Sequence, residues 1–158
     1  LSNLKLSELL MQLALEQNIE LPSLKKLQPF AGAYKNRIVN LNDLLSYADK
    51  LFSNNFVVDA EAAKKHLKPS ILEPLQDLTS LFEETTWASV SIHQAIENIC
   101  QKHEIGFGKI GQPLRVAVTG GTISPPIDIT LTLVEKELAI LRLKSAIDYI
   151  ENGMTVPS

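Results

Sequence analysis

Leucines recur through this chain at helical spacing, and that repeat limits what it can fold into more than any other feature. Leu6, Leu9, Leu10 and Leu13 stand at i, i+3, i+4 and i+7, the spacing that lines one face of a helix with apolar side chains. Leu21-Pro22-Ser23 ends that run, and Ser23 is placed to cap a short helix carrying Leu24 and Leu27. Residues 31–37 (AGAYKNR) read as a loop. After it, Leu41, Leu44, Leu45, Ala48, Leu51 and Phe52 form the cleanest stripe in the chain, with Asn40 as its cap. Asp59 caps a further helix running to Leu67, which Lys68-Pro69 breaks. Ile71, Leu75, Leu78 and Phe82 mark the next, Ile92, Ala95, Ile96 and Ile99 another, and Ile140, Leu143, Ile147 and Ile150 a last. The stretch SNNFVVD interrupts the pattern and sets a boundary near residues 56–59, and the end, GMTVPS, reads as unstructured.

Two segments resist the scheme. Residues 114–119 (LRVAVT) and 127–134 (IDITLTLV) are rich in β-branched side chains, and propensity alone makes them strands. Either two short strands sit here or tertiary packing imposes helix. The expectation for the whole is a mainly helical domain, with no internal repeat and no low-complexity run.

Residues 106–126 (GFGKIGQPLRVAVTGGTISPP) hold five glycines, together with Lys109, Arg115 and three prolines. Fixing a glycine backbone is entropically expensive, so such a cluster marks a place where main chain comes close to something else. Gly106-Phe-Gly108-Lys-Ile-Gly111 spells GxGxxG, but a dinucleotide site needs a strand before it. Here a helical segment ending in CQKHE precedes it and Gln112-Pro113 follows. Nor is it a phosphate loop, because Ile110 stands where a serine or threonine would hold magnesium.

Other chemistry is thin. His66, His93 and His103 are scattered and the lone Cys100 has no CxxC partner, so no zinc ligand set forms. Cys100 falls on the apolar face with Ile96 and Ile99, and a single cysteine suits a reducing, cytoplasmic setting. No Gly-x-Ser-x-Gly elbow occurs, and the Glu83-Glu84 pair sits at a helix end where solvation accounts for it. No apolar run approaches the roughly 18 residues of a membrane span. The first residues do not form a signal peptide, and an opening Leu1 in place of Met is expected of a fragment.

What remains is recognition. The net charge of −3 argues against a nucleic-acid binder, but charge is unevenly spread. Residues 25–68 carry eight lysines and arginines against four acids, whereas residues 73–97 carry five acids and no lysine or arginine. Such polarity steers anionic partners even when the net is negative. Arg37 lies beside Tyr34, Lys35 and Asn36, and Arg115 precedes a glycine turn. A guanidinium presents a planar donor fork suited to base edges, although a surface salt bridge is the commoner role for either arginine taken alone.

The run Lys109-Ile-Gly-Gln-Pro113-Leu114-Arg115-Val-Ala117-Val-Thr119-Gly120, followed by Ser124-Pro125, resembles the C-terminal anticodon-binding region of bacterial glutamyl-tRNA synthetases. That family has a GK-x-x-x-PLR-x-A-x-TG run, then a Ser/Thr-Pro loop and two closing helices. Residues 59–69 (DAEAAKKHLKP), Trp87 ahead of a helix, and the helix of Arg142 are similar to the family too. The likeness runs from about residue 29 to 151.

The resemblance implies an all-α cage of two helical subdomains, residues 1–58 and 59–151, with a tail at 152–158, and helix in place of both strand candidates. It implies that Arg37 contacts the third anticodon base of a glutamate tRNA. Arg115, Ser124, Pro125 and Ile127 would hold the first base and its neighbours. Lys35, Lys64, Lys65 and Lys109 are the expected phosphate contacts. Three residues depart from the family pattern: Pro126 where a small residue is usual, Gly121 where a larger one is common, and Glu135 where a glycine separates the last two helices. The Glu135 departure makes a continuous helical junction an expectation. The chain has neither an HIGH-like nor a KMSKS-like segment, so ATP and magnesium would belong to another part of such an enzyme. No cofactor, no DNA or membrane partner, and a monomeric state are expected here. The rival readings are a helical protein–protein module that ignores RNA and a nucleotide-binding enzyme built on the glycine cluster.

Overall fold

The computed structural model describes residues 2–53 and 56–153. Asn54-Asn55, in the interrupting SNNFVVD stretch just before the expected boundary, and residues 154–158 of the expected tail lie outside the described residues. Every regular element among the described residues is helical. The chain divides into two compact units, Leu1–Val57 and Val58–Ser158.

In the first unit α1 (Asn3–Glu16) starts at Ser2, whose hydroxyl accepts from Lys5 N at 3.0 Å. It buries Leu6, Leu10 and Ala14, one side chain per turn. The second helix, α2 (Leu24–Tyr34), outruns its sequence signal. Pro29 lies inside it, which removes a helical hydrogen bond at a cost of about 3 kcal/mol. Complete burial of Leu27, Phe30 and Ala31 and a stacked Phe30–Tyr34 pair at 4.6 Å offset that loss. The expected loop at 31–37 is therefore helix through Tyr34, and only Lys35–Arg37 forms a tight 3₁₀ turn. Helix α3 (Leu41–Phe52) follows, with reciprocal caps: Asn40 Oδ1 accepts from Asp43 N at 2.9 Å and Asp43 Oδ2 from Val39 N at 3.2 Å. At Gly32, α2 packs tightly against the first residue of α1. A Cβ there would stand 2.5 Å from Asn3 Nδ2.

The second unit holds α4 (Ala60–His66), α5 (Leu72–Glu84), α6 (Ser89–His103), α7 (Phe107–Thr119), α8 (Ile127–Thr132) and α9 (Lys136–Glu151). Both strand candidates are helical. In α7 the β-branched residues are enclosed, with Ile110, Val116 and Val118 fully buried. Burial of such side chains gains about 1.5–3 kcal/mol each, against a few tenths lost to helix propensity. Gly120 stops α7 at φ 85°, a left-handed cap that a side chain would strain. The expected continuity at Glu135 is wrong. Helix α8 ends at Thr132, and Glu135 has extended backbone at the start of α9. The reason is Trp87, whose Nε1 donates to Leu131 O at 3.1 Å and Val134 O at 3.0 Å. Carbonyls satisfied by an indole have no need of a further helical turn.

Candidate nucleic-acid interface

In the first unit the 3₁₀ turn puts Lys35, Asn36 and Arg37 on the surface, all exposed. Arg37 Nη1 donates to Ala33 O at 3.2 Å, so the guanidinium also closes the end of α2. Lys35 Nζ donates to Asn3 Oδ1 at 3.2 Å, which ties the turn to the first residue of α1. Beside the turn opens a groove of about 500 Å³, lined by Leu6, Leu9, Lys35, Ile38, Val39 and Leu41 among others. Its lining is mostly apolar, with Lys35 as its one cation. Leu6 and Leu9 were legible in sequence only as part of a helix stripe, and nothing in their spacing singles out this wall.

In the second unit Arg115 leaves α7 half-buried and its Nε donates to Ser124 Oγ at 3.0 Å. Ser124 is half-buried and Pro126 exposed. Pro125 and Ile127 are buried, Ile127 with 1% exposure. The expected cluster is thus split: Arg115 and Ser124 touch, while the Ile127 side chain belongs to the core. Ile123 and Ile129 instead carry exposed apolar surface nearby in the chain, at 56% and 39%.

Of the expected phosphate contacts, Lys109 is exposed in the first turn of α7, and Lys64 and Lys65 are exposed in the last turn of α4. Cations at that end complement the helix dipole. Burial, with Lys65 and Lys68 beside it, pulls His66 below the usual imidazole pKa, which keeps the patch from gaining that charge near neutrality.

Beneath the site Arg142 is 4% exposed and its Nη1 donates to Val118 O at 2.8 Å. Burial lowers its pKa to about 10, so it remains a cation and braces α9 against the end of α7.

Four of the five clustered glycines make no close approach within this chain. A Cβ on Gly106, Gly108 or Gly121 would meet nothing within 4 Å, and on Gly111 only Arg115 Nη1 at 3.6 Å and Phe107 Cδ1 at 4.0 Å. Gly106–Gly111 opens a helix and follows another helix, an arrangement that does not fit a dinucleotide fold. Among the described residues no three His, Cys, Asp or Glu side chains gather to hold a metal ion, and no helix is long and apolar enough to cross a membrane. Cys100 is buried, which pushes its thiol pKa up.

Residues 5–147 match the family model described as "Anticodon binding domain". The chain is 44% identical over 97 residues to glutamate–tRNA ligase 2 of Coxiella burnetii (strain Dugway), an alignment covering 61% of this chain and 21% of that protein. Glutamate–tRNA ligase 1 of a second Coxiella burnetii strain matches to the same extent. The chain therefore spans about a fifth of the length of the curated relatives it matches. A crystal structure of a glutamate tRNA ligase from Elizabethkingia meningosepticum superposes with a TM-score of 0.83 at 23% identity, covering 95% of this chain and 30% of that one. The glutamate–tRNA synthetase of Elizabethkingia anophelis gives 0.76 at 23% identity, covering 94% and 29%. At that identity the likeness speaks for the fold.

Proposed function

The chain belongs to the anticodon binding domain family, and on that premise we propose that it reads the anticodon loop of a glutamate tRNA for a glutamate–tRNA ligase. Arg37 contacts the third anticodon base. Arg115 and Ser124 engage the first base, with the proline loop of Pro125 and the backbone around Ile127 shaping its seat. Lys35, Lys64, Lys65 and Lys109 hold phosphates. The ligation itself, with its ATP and magnesium, is carried by other parts of the parent enzyme, which acts in the cytoplasm as a monomer.

The observation that carries this reading is the Arg115–Ser124 hydrogen bond. It fixes a half-exposed guanidinium on a rigid helix against a proline loop, and pre-organised donors of this kind discriminate bases because little freedom is lost on binding. Support also comes from the unit-one groove, whose apolar lining and Lys35 adjoin the turn that carries Arg37 and suit an unstacked base.

The test is binding of the 158-residue chain to glutamate-type and glutamine-type anticodon stem-loops at two ionic strengths. Replacing Arg37→Ala should cost about 1–3 kcal/mol of discrimination at the third anticodon position. Equal losses for every RNA remove the specificity role, and binding that ignores RNA and survives high salt removes the reading altogether.

A further inference from the structure

The segment that holds Ser124 beside Arg115 has almost no donors of its own. Pro125 and Pro126 have no N–H, yet the carbonyls and hydroxyl of this loop still need partners. Thr130 N donates to Pro126 O at 2.9 Å as α8 begins. A further donor is the hydroxyl of Thr130, a residue with 0% exposure. Its Oγ1 lies 3.1 Å from Ser124 Oγ, 2.9 Å from Pro125 O and 3.1 Å from Pro126 O. One proton shared among three oxygens holds the loop's turns together.

Ser124 completes the chain of bonds. Its hydroxyl donates to Pro125 O at 2.8 Å and accepts from Arg115 Nε at 3.0 Å. A serine hydroxyl has one proton and two lone pairs. With the proton committed to Pro125 O, the lone pairs are left for the Arg115 Nε–H and the Thr130 hydroxyl. The Ser124 side chain is therefore held from the core side, and the guanidinium is held in turn by Ser124.

The geometry points to Thr130 as a positioning residue: through Ser124 it sets the orientation of Arg115, and with it how sharply the chain distinguishes the first anticodon base. This rests on the RNA-reading role proposed above. Thr130 touches no ligand itself. Its buried hydroxyl acts through two intervening hydrogen bonds.

The test compares wild type, Thr130→Val and Thr130→Ser in the 158-residue chain. Each is bound to two stem-loops identical except for a pyrimidine or a purine at the first anticodon position. Thr130→Val keeps shape and removes the donor, so the preference should fall by roughly tenfold, about one well-placed base contact. Affinity for the disfavoured RNA should hardly change, and Thr130→Ser should restore the preference. Without RNA, the Arg115 Nε–H resonance should exchange slowly in wild type and Thr130→Ser and be lost in Thr130→Val. In an Arg115→Ala background Thr130→Val should have no further effect on preference. If Thr130→Val does not fold, Thr130→Cys replaces it, since a thiol is a weak donor.

A wild type with no preference overturns the RNA-reading premise and the inference together. A wild type with preference and a Thr130→Val that keeps it overturns the inference alone. So does equal loss in Thr130→Val and Thr130→Ser, which assigns the effect to packing, or a loss that persists without Arg115.

Discussion

Replacing Trp87→Phe tests whether the indole N–H ends α8. Phenylalanine keeps an aromatic ring near Phe82, with which Trp87 now makes an edge-to-face pair at 5.2 Å. It removes the donor to Leu131 O and Val134 O. Leu131 O retains a second donor, Val134 N at 3.3 Å, so the loss falls mainly on Val134 O. A buried carbonyl stripped of its partner costs about 1–3 kcal/mol. Trp87 is half-buried and water reaches its surroundings, so the lower part, about 1–2 kcal/mol, applies. In a unit of about 100 residues this lowers the melting temperature by roughly 5–15 °C. Trp87→Leu should lose a further ~0.5–1.5 kcal/mol of ring–ring contact. Neither should unfold the unit, because Lys136 Nζ ties the same corner, donating to Glu83 O at 2.9 Å and Thr85 O at 2.7 Å. The assay is urea unfolding followed by far-ultraviolet circular dichroism. A Trp87→Phe variant within ~0.5 kcal/mol of wild type, the range of ordinary surface substitutions, refutes the assignment of the α8–α9 break to this bond.

Replacing Lys64 and Lys65 together by Gln should weaken RNA binding alike for all sequences and reduce the salt slope by about 1 for each phosphate no longer neutralised. An unchanged slope in a filter-binding series removes both from the interface. The carboxyl of Asp77 is held below its usual 3.8 by Lys102 first and then His103, which lie 2.9 and 2.6 Å away. A carboxylate with a depressed folded pKa stabilises the fold fully above the unfolded value and loses that contribution as pH falls through the folded one. Wild type and Asp77→Asn should therefore differ in stability at pH 6, begin to approach each other as pH falls through about 3.8, and converge only below the lower folded value. A difference that stays constant with pH in acid titrations refutes the ionic origin.

Most of the helical layout was open to reading because leucine stripes at 3.6-residue spacing, as at Leu41–Phe52, encode it directly. Where sequence and structure part, local preference met tertiary packing. AGAYKNR reads as a loop, yet Phe30 and Tyr34 carry α2 onward through their burial. LRVAVT has strand propensity, but its side chains are enclosed on a helix. The glycines of 106–121 drew attention for close backbone approach, whereas the tight approach lies at Gly32, an isolated residue without any local signal. At the candidate site the fold brings Arg115 and Ser124 within hydrogen-bond reach across nine residues of chain. Thr130 was invisible beforehand, since a threonine in IDITLTLV reads as one more β-branched residue until the fold brings its hydroxyl to the proline loop.

Two consecutive imino acids between Ser124 and Ile127 also decide how this chain can be watched. Backbone exchange and amide-shift mapping report only on residues that carry an amide proton, and Pro125 and Pro126 carry none. The centre of the proposed contact is thus silent to the commonest spectroscopic surveys of binding. Carbon-detected spectra or crosslinking would have to follow events at the two prolines, with the amides of Ser124 and Ile127 as the nearest reporters.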